Sequence, residues 1–126
     1  MTIRRLKTYT GSQGYVYQYY FVGKRPAPAS DAHQSDGRES HANEYIFDVT
    51  SDRKLTYSVS IFLPRQVVAA WAESHGRPLA DSEQYAAVKI RLFRAFDETE
   101  DMQADGRHLQ IDEQALEESL ASLGVE

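Results

Sequence analysis

The chain contains no cysteine, which excludes disulfide scaffolds, thiol catalysis and cysteine-ligated zinc, and favours a reducing compartment. It also lacks any run approaching about 18 apolar residues, the length a membrane-crossing helix needs. The opening MTIRRLKTYTGSQG has no apolar core of about 7–15 residues behind its basic side chains, so it does not read as a secretory signal. A cytoplasmic protein with no membrane association is expected. There is no Gly-rich phosphate loop, no G-x-S-x-G elbow, no H-E-x-x-H and no motif-framed pair of carboxylates. The expectation therefore leans away from an enzyme, with no cofactor.

Acids are missing from one end and crowd the other. Residues 1–30 hold five bases and no acid, whereas residues 97–126 hold ten acids and a single base, Arg107; the whole chain carries a net charge of −5. Such asymmetry says more about partners than the total does.

What is present is organised around residues 44–96. Alternation places Tyr45, Phe47 and Val49 on one side of a strand, and Leu55, Tyr57, Val59, Ile61 and Leu63 on one side of the next, with Ser51–Lys54 as a polar turn. Pro64 then opens a helix that Gly76 closes, because proline fits the first turn and glycine the left-handed stop. Val67, Val68 and Trp71 form its apolar stripe, and His75 falls inside it. A second helix is expected from Asp81, acting as cap with Gln84, to about Phe96. Its apolar residues spread over roughly 220° of the wheel, which implies contacts on more than one side. Lys89 sits within that arc, roughly 40° from Tyr85 and roughly 20° from Phe96. An unpaired buried ammonium is costly, so Lys89 must reach water, find an acid or serve a site.

Upstream, residues 2–10 and 15–22 flank Gly11–Gly14 and read as another hairpin, with Tyr15, Tyr17, Tyr19 and Phe21 on one face of its second strand. Residues 23–43 are polar, include Pro26 and Pro28, and show neither period, so a flexible loop is expected. Residues 97–110 read as an acidic connector. A last helix follows, with Asp112 as cap, Ile111 and Leu116 as a hydrophobic staple, Gly124 as stop, and a thin stripe of Leu116, Leu120 and Leu123. The fold expected over 1–126 is a single α+β domain: a four-stranded antiparallel sheet from two hairpins, two helices on one face, and a C-terminal helix.

Three functional readings compete. The leading one is a non-enzymatic interaction module that forms a homodimer, the acidic end of one copy meeting the basic end of the other. The second is a single-stranded nucleic-acid binder using Arg4, Arg5, Lys7, Tyr15, Tyr17 and Tyr19, with bases stacking on phenols and phosphates meeting cations. The acidic total opposes it, and in a sheet an aromatic ladder is more often core. The third is an anion-binding or catalytic pocket of His75, Lys89 and Tyr57. Against it, an imidazole in a last helical turn suits the free carbonyls there, and long lysines snorkel. His33 and His41, with Asp31, Asp36 and Glu39, match no ligand spacing, so no metal is expected.

Overall fold

The computed structural model describes residues 6–11, 14–28, 41–52 and 54–125. Its elements in chain order are β1 (Lys7–Thr10), β2 (Val16–Pro28), β3 (His41–Thr50), β4 (Tyr57–Pro64), α1 (Arg65–His75), α2 (Asp81–Glu98), the single turn α3 (Met102–Asp105), β5 (His108–Gln110) and α4 (Glu113–Ser122). The fold is α+β. The first four strands follow one another, each antiparallel to the next, in a sheet ordered β1-β2-β3-β4-β5. β5 returns after the helices and so lies parallel to β4, as a crossover connection allows.

The sheet thus has five strands where four were expected, and the fifth comes from the stretch read as a connector. With Leu109 its one apolar residue, β5 offers no period to read. Backbone bonds hold it instead: Ser60 N–H donates to the Arg107 carbonyl (2.8 Å) and Ile111 N–H to the Phe62 carbonyl (3.0 Å).

Much of the expected loop is strand as well. Gly23–Pro28 pairs with His41–Ile46, because ladder bonds are made by the backbone and continue after the side-chain pattern has faded. A bulge between Phe21 and Gly23 leaves Val22 as the extra residue, so Phe21 faces Phe47 while Lys24, not Gly23, faces Tyr45. The remainder of that loop, residues 29–40, lies outside the described residues, as do Arg4, Arg5 and His33.

One face of the sheet forms the core with the helices. Tyr17, Tyr19, Tyr45, Phe47, Val49, Tyr57, Val59, Ile61 and Leu63 are buried there with Trp71, Val88, Leu92 and Phe96. Two residues assigned to the core face by alternation lie outside it. Tyr15 and Leu55 are 55% and 59% exposed, since each precedes its strand. At Leu55 the cause is local, for the Asp52 carboxylate accepts the N–H groups of Lys54 (2.8 Å) and Leu55 (2.9 Å) and holds the chain in a turn.

Pro64 precedes α1 with φ −64°, and Gly76 ends it in the left-handed region at φ 72°, an arrangement glycine adopts without strain. α2 begins one residue earlier in its capping frame than expected. Ala80, not Asp81, occupies the cap position, and the Glu83 carboxylate accepts the Ala80 N–H (2.8 Å). Asp112 caps α4 by accepting the Ala115 N–H (2.7 Å). The staple residues Ile111 and Leu116 are fully buried with Leu120, and α4 rests on α1 and α2.

Candidate functional site

β1, β2 and α2 meet through aromatic rings. Tyr9 stacks on Phe93 (centroids 4.5 Å apart), Tyr17 stacks on Phe96 (4.2 Å) and Phe21 meets Tyr85 edge-on (5.0 Å). Each geometry is one that ring quadrupoles favour. The Tyr9 hydroxyl donates to Asp97 Oδ2 (2.7 Å), which favours the neutral phenol and pushes its pKa up to about 12.

Lys89 lies in this seam. On α2 it is one turn from Tyr85 and one turn from Phe93, so its stem runs between their rings. Its Nζ stands 5.8 Å from the centre of each, and 6.0 Å from the centre of Tyr19 on β2. Lys7 on β1 is paired with Tyr19 in the sheet, and its ammonium comes alongside that of Lys89. Partial burial lowers the Lys89 pKa, and the neighbouring Lys7 lowers it further. Among the described residues no carboxylate makes an ion pair with either lysine. Further along, Lys24 Nζ lies 5.7 Å from the centre of the Tyr45 ring, placed there by the bulge. The result is a strip of three amines on aromatic walls, one pair of them adjacent.

His75 is elsewhere and fully engaged. Its ring stacks on Trp71 (4.1 Å), and Nε2 bonds both carboxylate oxygens of Glu117 on α4 at 2.9 Å. Arg77 lies over the same indole (5.1 Å) and makes a two-pronged bond to Glu83 at 3.1 and 3.0 Å. The chain Glu117–His75–Trp71–Arg77–Glu83 therefore fastens α4, α1 and α2 together. Beside it, an open cleft of about 300 Å3 is lined by Val67, Ala70, Trp71, Ser74, Glu113 and Glu117 among others.

Tyr57 is buried at the start of β4, and burial pushes its phenol up to about 12. The structure does not bring His75, Lys89 and Tyr57 together, for they share no partner. Of the proposed nucleic-acid residues, Lys7 faces the seam, while Tyr17 and Tyr19 are 4% and 3% exposed with their rings against Phe96, Phe47 and Phe93. Tyr15 alone of the three tyrosines is open.

Sequence reasoning found Lys89 and its companions on the same helix, but not those from the sheet. Tyr85 and Phe93 were legible, since they flank it at helical spacing. Lys7, Tyr19 and Lys24 were not, because they arrive through sheet pairing and a bulge.

No protein family, no curated protein and no solved structure matches this chain.

Proposed function

We propose that this chain is a small interaction module that captures an anion, a phosphate- or carboxylate-bearing molecule with a flat or apolar portion, in the seam between β1, β2 and α2. The observation that carries this reading is the Lys7–Lys89 pair, two ammonium groups side by side with no carboxylate paired to either among the described residues, walled by Tyr19, Tyr85 and Phe93. Like charges drawn together and partly removed from water raise the free energy of the empty site, and an anion relieves both costs at once. Rings beside the ammonium groups suit a planar group on the same ligand.

The test is a titration of the folded protein with benzoate, inorganic phosphate and tripolyphosphate, followed by amide chemical shifts. Shifts at Lys7, Tyr19, Tyr85 and Lys89 that vanish in Lys89→Met support the reading. Shifts that persist unchanged in that variant, or none at all, overturn it. Methionine keeps the apolar stem, so loss of binding does not reflect unfolding.

The homodimer reading takes a more specific form beside this one, with the anion supplied by a second copy. It is favoured by the exposed Glu113 of α4 and by Leu123 just beyond that helix, 44% exposed, whereas Glu117 and Glu118 already pair with His75 and Arg94. Against it, Leu116 and Leu120 are already spent inside the chain. Sedimentation at low and high salt tests it: a dimer held by exposed charges dissociates as salt screens them.

A further inference from the structure

We infer that Lys89 is a nucleophilic amine, which condenses with the carbonyl carbon of an anionic aldehyde or ketone held against Lys7 and the ring walls. The inference rests on the anion-binding reading for the placement of the carbonyl compound. It goes beyond that reading in assigning covalent capture to one nitrogen.

Of the lysines in the chain, Lys7, Lys24, Lys54 and Lys89, only Lys89 is surrounded. Lys54 is exposed in the β3–β4 turn, and Lys24 lies against a single ring. Around Lys89 the facing groups are Lys7 from β1, the Tyr19 phenol from β2, and the Tyr85 phenol and Phe93 ring of its own helix. Both phenols are pushed to higher pKa by burial and stay neutral, so no anion among the described residues holds the Lys89 proton in place. An ammonium in partly dry surroundings beside a second cation gives up its proton more readily, and the free amine is the reactive form.

The step balances within the two reactants. The Nζ lone pair forms a bond to the carbonyl carbon, the C=O electrons move to oxygen, and nitrogen's proton passes to that oxygen. The resulting carbinolamine takes a proton from solvent and expels water, leaving a positively charged C=N bond to Nζ. Nothing is oxidised or reduced.

The experiment exposes the full chain to 4-formylbenzoate, and separately to uncharged benzaldehyde, with cyanoborohydride to trap the imine. Peptide mass spectrometry then gives the extent of labelling at each lysine. Labelling of Lys89 several-fold above Lys54 with the anionic aldehyde is expected. In Lys7→Met the Lys89 label should fall, because without the neighbouring cation the amine gives up its proton less readily. A lysine limited merely by access would instead label faster in that variant. Enrichment at Lys89 with both aldehydes alike supports the nucleophile and counts against the anion reading. Labelling of Lys89 no greater than Lys54, while benzoate still shifts the seam amides, overturns the nucleophile and leaves anion binding standing.

Discussion

Two basic side chains lie in the apolar stripes of the helices of this protein, and they have opposite circumstances. His75 has a ring beneath it and a carboxylate on its nitrogen, so its polar needs are met within the fold. Lys89 has rings on three sides and, among the described residues, only another lysine beside its charge. A basic group satisfied inside the chain fastens helices; one left unsatisfied is available to a molecule from outside. Burial alone does not separate the two. The presence or absence of a counter-charge does.

Four measurements test this contrast. The largest effect concerns how firmly the fastened region is held. Leu116→Ala, which hollows out the contact of α4 with α1 and α2, should cost about 2–5 kcal/mol in urea unfolding. A cost below about 1 kcal/mol would mean that α4 only rests on the body and that the His75 cluster fastens little.

Next is the seam. Lys89→Met should weaken benzoate or phosphate binding by roughly tenfold or more, the worth of one charge-assisted hydrogen bond, while leaving the thermal midpoint unchanged or higher. A marked loss of stability would place Lys89 with His75 as a structural group.

A third comparison lies on the other face of the sheet, where Glu44 is buried and fully partnered. Its carboxylate accepts from Arg25 Nε (2.8 Å) and from the Ser60 hydroxyl (2.6 Å). The Arg25 bond is the main reason its pKa is held below the ordinary glutamate value. A depressed folded pKa contributes stability above the unfolded pKa, and that contribution is lost as pH falls through the folded one. Glu44→Gln should therefore cost about 1 kcal/mol near neutrality, a modest figure because Arg25 is largely exposed. The difference from wild type should shrink in melts taken at progressively lower pH below about 4.

The smallest effect is expected at Glu117→Gln, which loses a half-exposed partner of His75 at a cost of about 0.2–1 kcal/mol by urea titration. The indole stack persists without it.

The alternation in residues 45–49 and 57–63, the proline and glycine bounding α1 and the Asp112 cap of α4 were all legible, because each depends on neighbours a few residues apart. The frame of the α2 cap was not. Asp81 and Glu83 both suit a helix start, and the fork from Arg77 to Glu83 favours the frame in which Ala80 leads. β5 escaped because three residues with one leucine carry no pattern; its strand character comes from β4 alongside. The tyrosine ladder was read correctly at Tyr17 and Tyr19 and wrongly at Tyr15, where the strand has not yet begun.

Read along the chain alone, the residues specify a set of amphipathic segments, the segregation of charge, and one lysine out of place on an apolar arc. Periodicity and composition are local properties, and local rules read them. Tertiary structure decided what stands next to that lysine. The pairing of β1 with β2 brought Lys7 beside it, the bulge after Phe21 turned Lys24 onto the aromatic side, and α4 claimed His75 for Glu117. Each of those contacts joins residues remote along the chain, and only the packing of complete elements settles which of them meet.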